Sequence, residues 1–414
     1  IGLLVLAAAG PAAEPRLVDL DPGRMPYEPQ LVQNLDFRDE DGDHRNGRQI
    51  WLDIDGDGDL EYVQQFKNRL SCKDGTTGSG MRVLWETTLP AHLALGAGEL
   101  YLHAVGGLLP AGVPTVVLTA RHHDGDRWEL WRLDPRDGST TPVCTLDPVA
   151  RQRRDDGHWD GLYAPVGALA LPDRPHPLVV VCCQVDYDAD GRGLLAVDPV
   201  TGEVVWRHEI GAKIHWDDVS IADLDTDGWP EIVATASGTG NLHGERVGHA
   251  SDDSSHVLMF DHGGALRWRH ALLPHPAWAT HQLVDRDGDG VQEILTVAGN
   301  SRLPRSRLDL WTVEGRTIAH RGIDGLITDW AAVARPAAST VDIALLAATS
   351  RLEHWRLTRD GFTRLDAVRY GPRLLNLAAV DCLPEDGPEL VVNVAGRSLA
   401  ITDWQFEPLA MIEA

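Results

Sequence analysis

The chain has 414 residues, and its 62 Asp and Glu outnumber its 37 Lys and Arg to give a formal net charge of −25 at pH 7. This negative charge argues against nucleic acid and anionic membrane surfaces as partners and favours cations or polar neutral ligands. The five cysteines are an odd number without paired spacing, so the sequence predicts no disulfide framework.

The N-terminal stretch, IGLLVLAAAGPAAEP, is an apolar run that ends in small residues. It resembles the end of a signal peptide or of a membrane anchor, and about ten apolar residues are too few to cross a bilayer. We expect residues 1–13 to be the remnant of such a segment and residues 14–47 to be an acidic lead-in. The folded part is then expected outside the cytoplasm, as a secreted, periplasmic or cell-surface protein.

Three nine-residue stretches, at 53–61, 223–231 and 285–293, have nearly the same sequence: DIDGDGDLE, DLDTDGWPE and DRDGDGVQE. Each has acids at positions one, three, five and nine and glycine at position six, directly before an apolar run. Carboxylates at alternate positions of a tight loop converge on one point, and calcium, which takes six to eight oxygen ligands, is the usual occupant. The alternative is a polar turn that only starts a strand. The predicted ligands are the side chains of Asp53, Asp55, Asp57, Glu61, Asp223, Asp225, Asp227, Glu231, Asp285, Asp287, Asp289 and Glu293, and the backbone carbonyls of Asp59, Trp229 and Val291.

Four degenerate copies of this stretch also precede apolar runs. Together the seven copies start at 53, 107, 170, 223, 285, 334 and 381, which places successive starts 47 to 63 residues apart. This interval suits a four-stranded blade, and the sequence between the loops reads as short strands separated by turn residues. We therefore predict an all-β fold, a seven-bladed β-propeller over residues 48–414, with eight blades as the alternative.

The acidic loops resemble FG-GAP or VCBS-type repeats, as found in the N-terminal propeller of integrin α chains. In the third unit, residues 196–206 (AVDPVTGEVVW) also resemble the repeat of pyrroloquinoline-quinone propellers, but only that unit has it clearly. The resemblance implies a propeller that binds about three structural calcium ions and that acts in ligand binding or adhesion. We expect no quinone cofactor.

Strands alternate direction within a blade, so the acidic first turns and the third turns share one face of the propeller. The opposite face receives the long insertions at 238–256 and 299–308 and the links between blades, which contain a second repeat, His-Trp-Asp. Equivalent positions in the blades of a propeller surround its central axis. These residues therefore either line a funnel that binds a polar ligand or pack between blades. The candidates are His158, Trp159, Asp160, His215, Trp216, Asp217, Trp278 and Trp330, with His243 and His249 from the first insertion.

The leading hypothesis is a calcium-binding module that recognises a glycan or protein through the long-loop face. One alternative is a polysaccharide-active enzyme resembling rhamnogalacturonan lyases, for which His243, Glu245 and His249 could supply acids and bases. Another is the sensor domain of a membrane receptor. No nucleophile or phosphate-binding motif is present, so no catalytic residue is assigned.

Overall fold

The structure, a computed structural model, describes residues 16–18, 49–55, 60–66, 69–74, 82–94, 100–105, 115–122, 127–146, 161–185, 191–242, 246–347, 350–380, 387–395 and 398–413. Within these ranges the chain is almost entirely β-strand, and its one short helical segment is a 3₁₀ turn at Pro336–Ala338. No helix in the described part of the chain is long and apolar enough to cross a membrane.

The described residues form seven sheets that each contain four antiparallel strands in sequence order. A short strand, β1 (Arg16–Val18), comes before them. Sheet one comprises β2 (Gln49–Leu52), β3 (Glu61–Phe66), β4 (Arg69–Asp74) and β5 (Arg82–Thr88). Sheet two comprises β7 (Leu100–Val105), β8 (Thr115–His122), β9 (Trp128–Leu133) and β10 (Thr140–Leu146), and β6 (Leu93–Ala94) also pairs with β8. Sheet three comprises β11 (Leu162–Leu169), β12 (Leu178–Gln184), β13 (Gly193–Val197) and β14 (Val204–Glu209).

Sheet four comprises β15 (Lys213–Ala222), β16 (Glu231–Ser237), β19 (Ser254–Phe260) and β20 (Leu266–Pro274). A two-stranded hairpin, β17 (Arg246–Val247) and β18 (Ala250–Ser251), lies between its second and third strands. Sheet five comprises β21 (Ala277–Val284), β22 (Glu293–Asn300), β23 (Arg305–Trp311) and β24 (Thr317–Asp324). Sheet six comprises β25 (Ile327–Arg335), β26 (Thr340–Ala347), β27 (Arg351–Thr358) and β28 (Gly361–Tyr370), and sheet seven comprises β29 (Leu374–Val380), β30 (Glu389–Val394), β31 (Ser398–Thr402) and β32 (Pro408–Glu413). Seven such sheets confirm the predicted all-β, seven-bladed propeller class.

The chain divides into two compact units. The larger contains Val32–Leu283 and Gly290–Ile318, and the smaller contains Ile1–Leu31, Val284–Asp289 and Ala319–Ala414. In the larger unit, separate apolar clusters join sheets one and two, two and three, three and four, and four and five. In the smaller unit, another cluster joins sheets six and seven. Within each unit, these sheets therefore bury their faces against their neighbours in sequence, as blades do.

The second strands are much more buried than the fourth strands in sheets three and five. Every residue of β12 and of β22 is buried, whereas β14 has no buried residue and β24 is mostly exposed. A strand covered on both faces needs apolar residues at every position, which explains continuous runs such as LVVVCC in place of strict alternation. Cys182 and Cys183 on β12 are free thiols, and they belong to different apolar clusters on the two sides of that sheet.

Six of the seven loops predicted from the repeat start between the first and second strands of a sheet, and the remaining one, predicted to start at Ala334, begins within the last two residues of the first strand, β25. The prediction of a long insertion over 299–308 is wrong, because β22 and β23 remain paired as far as Asn300 and Arg305 and only 301–304 connect them. The lead-in contributes β1, which pairs in parallel with β28 as a fifth strand of sheet six. Residues 1–13 lie outside the described residues.

Candidate functional site

The second acidic loop, between β15 and β16, is ordered by hydrogen bonds to its first aspartate. Asp227 N–H donates to Asp223 Oδ1 at 3.1 Å, and Gly228 N–H donates to Asp223 Oδ2 at 2.9 Å. Carboxylate oxygens of Asp223, Asp225 and Glu231 all lie within 4.8 Å of one another. The loop therefore gathers three acids around one point, as the spacing predicts.

Glu231, the closing residue of this loop, is a fully buried carboxylate. Its Oε2 accepts a hydrogen bond from Leu224 N–H at 3.0 Å, but its Oε1 accepts none. The nearest cation is Arg267, whose Nη1 lies 3.3 Å from Oε1 without hydrogen-bonding geometry. Burial raises the pKa of Glu231, and the neighbouring Asp225 raises it further. A buried acceptor among like charges favours a bound cation, and the all-oxygen donor set fits calcium.

The first acidic loop repeats this arrangement, whereas the third gathers three aspartates without its closing residue, Glu293. Glu61 is buried at the first loop, and its Oε2 accepts a hydrogen bond from Ile54 N–H at 2.9 Å, the equivalent of the Leu224 contact. In the third loop, Gly288 N–H donates to Asp285 Oδ1 at 2.7 Å. Carboxylate oxygens within 4.8 Å of one another come from Asp53, Asp55 and Glu61 in the first loop and from Asp285, Asp287 and Asp289 in the third. Asp57, Asp59 and the glycine between them lie outside the described residues.

The backbone of the second and third loops is left-handed at two positions. The predicted glycine at position six has φ of 89° in both, at Gly228 and Gly290. Position four is also left-handed, with φ of 62° at Thr226 and 76° at Gly288. A β-branched residue rarely adopts this conformation, so Thr226 is strained where glycine would not be. Trp229 and Val291, the predicted carbonyl ligands, directly follow the second left-handed residue, and their role as ligands stays a prediction.

Neighbouring acidic loops lie side by side. Gln292 N–H, near the end of the third loop, donates to Leu224 O in the second loop at 2.9 Å. The first turns of sheets four and five are therefore in contact, and the placement of all three loops on one face stays a prediction.

The predicted ligand residues 215–217 lie in an irregularity of the first strand of sheet four, β15. Ile214 pairs with Ala236 and Val219 with Ala234, so four residues of β15 face a single residue of β16. In such a bulge the side chains no longer alternate regularly between the two faces of the sheet. His215 stacks on Trp216 with ring centroids 3.8 Å apart, and the exposed Asp217 carboxylate lies 3.4 Å from His215 Nδ1.

Trp216 is half-buried and has a packing role. Its ring lies 5.2 Å from that of Tyr101 on β7, and it borders the apolar cluster that joins sheets two and three. Of the two interpretations, the contacts of Trp216 support packing, whereas His215 and Asp217 remain accessible beside it. His158, Trp159 and Asp160 lie outside the described residues.

Trp278 and Trp330 occupy first strands, β21 and β25, and not the links that precede them. The indole of Trp278 lies over Gly299 on β22, where a Cβ would come within 2.6 Å of its Nε1. In the smaller unit, Trp330 follows Asp329, whose Oδ2 accepts a hydrogen bond from Leu377 N–H at 2.8 Å. Trp278 is thus placed by a glycine that the sequence alone did not single out.

Asp218, which follows the His-Trp-Asp repeat, is a half-buried acid with an altered pKa. Burial raises its pKa to about 8, and the adjacent Asp217 contributes to the rise. The carboxyl group is therefore largely neutral at pH 7 and can donate a hydrogen bond.

The insertion at 238–256 is anchored to the protein at its base by a buried ion pair. Arg192, from the turn before β13, is fully buried and donates from Nε to Val185 O at 2.8 Å and from Nη1 to Gly211 O at 3.0 Å. From the insertion, Asn241 Oδ1 accepts from Nη2 at 2.6 Å, and the buried Asp252 Oδ2 lies 3.5 Å from Nη1. The sequence gives no local signal for this pair, whose members are sixty residues apart.

The insertion also touches the strands on either side of it. His249 N–H donates to Glu209 O at 3.1 Å, and the His249 ring lies 5.7 Å from that of His208 on β14. At the other side, Gly238 exchanges two backbone hydrogen bonds with Ala277, directly before Trp278. His249 is therefore placed against sheet three, whereas Trp278 borders the start of the insertion. His243 lies outside the described residues.

No protein-family model matches the chain, and no curated protein matches it in sequence. Among solved structures, the chain is similar to BBS1N, from a crystal structure of its complex with ARL6DN soaked with lead, at 10% identity and a TM-score of 0.43 over 89% of this chain and 90% of that chain. It is also similar to the biofilm matrix protein Bap1 of V. cholerae, at 11% identity and a TM-score of 0.36 over 89% of this chain and 80% of that chain.

Proposed function

We propose that the protein is a calcium-stabilised β-propeller and that each complete acidic loop holds one calcium ion. The observation that carries the proposal is the buried Glu231, whose Oε1 accepts no hydrogen bond although three carboxylates meet there. The equivalent backbone contact to Glu61 and the shared left-handed positions of the second and third loops support it. The resemblance to FG-GAP repeats points to the same ion. A place outside the cytoplasm, where calcium reaches millimolar levels, belongs to the same proposal.

Thermal unfolding of the full chain in calcium, in magnesium and in chelator tests the metal. An ion bound only by the folded state stabilises it by about 2.7 kcal/mol per site at a concentration of 100 times Kd. We expect a clear rise in Tm with calcium and a much smaller one with magnesium, which prefers a tighter octahedral site. Equal melting curves in calcium and chelator would refute the proposal.

We further propose that the protein is a binding module whose ligand, a glycan or a protein, contacts the face of the long insertion. Ile214 pairs with Ala236 and Gly238 pairs with Ala277, so Trp216 and Trp278 flank the start of the insertion. Aromatic faces beside polar groups are typical of sites that stack sugars or bind polar side chains. Loops carried by a rigid scaffold are common binding sites.

A glycan array probed with the labelled protein in calcium tests the binding face. The informative changes are His215→Ala and Asp217→Ala, because both side chains are accessible, whereas the packing of Trp216 would confuse binding with stability. We expect each change to weaken a positive signal at least about tenfold with an unchanged Tm, a loss of about 1.4 kcal/mol. The control is Val200→Ala, an exposed residue in the third turn of sheet three. A glycan signal that neither site change affects would place the binding site elsewhere.

A further inference from the structure

Two histidines and a glutamate from separate parts of the chain meet at the edge of sheet two. His92 lies in the turn directly before β6, His122 is the last residue of β8, and Glu129 lies on β9. Side-chain nitrogen and oxygen atoms of the three residues lie within 4.8 Å of one another. They come together at the second turn of the sheet, so this group is separate from the acidic loops, which are first turns.

The atoms that meet are suited to hold a metal ion. His122 Nε2 lies 2.8 Å from Glu129 Oε1, and His92 Nε2 lies 3.3 Å from Glu129 Oε2. Ligands about 2.0–2.2 Å from a tetrahedral zinc ion are separated by about 3.3–3.5 Å, so small side-chain movements would admit the ion. The two imidazole rings are 4.8 Å apart, and both Nε2 atoms contact the carboxylate of Glu129.

A fourth residue fixes the orientation of the carboxylate. Trp131 Nε1 donates a hydrogen bond to Glu129 Oε2 at 2.8 Å. Outer hydrogen bonds of this kind orient ligands in metal sites and raise their affinity. Glu129 and His122 are largely buried, whereas the His92 side chain is 49% exposed. Three protein ligands with one open side leave a coordination position for water or for a donor group of a ligand.

The donor types distinguish this group from the acidic loops. Imidazole nitrogens suit zinc and neighbouring transition metals, whereas calcium takes oxygen ligands. A divalent ion bound to one carboxylate also adds positive charge to a protein of net charge −25, which the surrounding field favours. Without an ion, the same residues would form a small cluster of histidine–glutamate hydrogen bonds.

We propose that His92, His122 and Glu129 bind a zinc-type divalent transition metal ion with one coordination position open. This site does not depend on the calcium proposal, since its ligands, its place in the sheet and its donor chemistry are different.

Isothermal titration of Zn²⁺ into the calcium-saturated full chain tests the site. We expect one tight site per chain, with Zn²⁺ affinity at least about 100-fold weaker in His122→Ala and Glu129→Gln. Trp131→Phe should weaken it about tenfold, as loss of an outer hydrogen bond does. Co²⁺ serves as a second probe, because the visible absorption of four-coordinate Co²⁺ should appear in the unmodified protein and be lost in His122→Ala.

The matched control is His176→Ala, which removes a half-buried histidine between β11 and β12 and should leave Zn²⁺ binding unchanged. Thermal unfolding without zinc checks that each variant is folded. If His122→Ala does not fold, Glu129→Gln still tests the site, because glutamine keeps a hydrogen-bond acceptor for Trp131. The proposal is overturned if the unmodified protein binds no stoichiometric Zn²⁺. It is equally overturned if folded Glu129→Gln binds Zn²⁺ as tightly as the unmodified chain does, or if His176→Ala removes the binding.

Discussion

Asp342, on β26, is a buried carboxylate among three basic side chains. It accepts hydrogen bonds from Arg356 Nε at 2.7 Å, from His354 Nε2 at 3.1 Å and from Arg335 Nε at 3.4 Å. Burial alone would raise the pKa of Asp342, but the hydrogen bonds from His354 and Arg356 outweigh it and hold the pKa well below its usual range. The charged form is therefore favoured in the folded protein.

We expect Asp342→Asn to lower the free energy of unfolding by about 2 kcal/mol at pH 7, since it removes charged hydrogen bonds. A carboxylate whose pKa is lowered in the folded protein contributes its full stabilisation at pH values above its unfolded pKa of about 4. This contribution is lost as the pH falls from there toward the pKa of the folded state. Urea unfolding between pH 7 and pH 3 should show the two proteins converging below pH 4. Asp360→Asn, at an exposed residue, is the control, and a pH-independent difference for Asp342→Asn would contradict the expectation.

A substitution at Glu231 distinguishes a loop that binds calcium from a polar turn that only starts a strand. Glutamine keeps an acceptor for Leu224 N–H but removes the buried negative charge. In chelator, Glu231→Gln should be as stable as the unmodified chain or more so by about 1 kcal/mol, because burying the charged carboxylate beside other acids is costly and the partly exposed Arg267 offsets only part of that cost. In calcium it should lose about a third of the rise in Tm, since one of three similar loops no longer binds. Glu61→Gln is the matched variant of the first loop, and an undiminished calcium effect in both would count against these ligands.

At the scale of elements, the ion pair of Arg192 and Asp252 determines whether the insertion stays in place. Removing one member of a buried pair leaves the other charge without compensation, so Arg192→Met should cost about 3 to 5 kcal/mol. The double change Arg192→Met with Asp252→Leu should recover part of that loss. Urea unfolding measures the stability, and limited proteolysis measures the opening of residues 238–256.

The half-buried pair of Arg174 and Asp198, 3.8 Å apart, is the control for this experiment. Arg174→Met should change stability by less than about 1 kcal/mol. If the Arg192 and Arg174 variants lose the same amount, the buried pair does not anchor the insertion.

Local features of the fold could be predicted from the sequence, and long-range ones could not. The repeated first turns were recognisable because their acids and glycines are neighbours in the chain and because apolar second strands follow them. The parallel pairing of β1 with β28 and the bulge at His215 depend on distant partners. The glycine at position six could be interpreted as a turn residue, whereas the left-handed Thr226 could not, since threonine rarely takes this conformation.

The same distinction applies to the candidate sites. Each acidic loop is a single stretch of nine residues, so the sequence alone predicts which carboxylates belong to one site. Arg267, 3.3 Å from Glu231, is remote in sequence from the loop it touches. The group of His92, His122 and Glu129 has no characteristic spacing, and its members are brought together by the pairing of β8 with β9 and of β6 with β8.

At the scale of the whole molecule, the net charge of −25 destabilises the compact state by self-repulsion. Three calcium ions would cancel six of these charges at the places where acids are most concentrated. We therefore expect salt to stabilise the chelated protein more than the calcium-bound one, because salt screens the repulsion over a Debye length of about 10 Å at 0.1 M. Urea unfolding over a series of NaCl concentrations, with calcium and with chelator, measures the difference.

The control for this experiment replaces all three closing acids, as Glu61→Gln, Glu231→Gln and Glu293→Gln together. Its salt dependence should be the same with and without calcium. If the stability of the unmodified protein also depends on salt equally with calcium and with chelator, the calcium ions do not relieve the repulsion.

The anchoring of the insertion on two sides determines how its surface would recognise a ligand. A free loop of this length loses much conformational freedom when it is fixed by a partner, and that loss weakens affinity. Here the backbone is already held by Glu209, Ala277 and the buried Arg192. The backbone of this face therefore has its final conformation before a ligand binds, and we expect it to change little on association. Complexes with different ligands should then differ mainly in their dissociation rates.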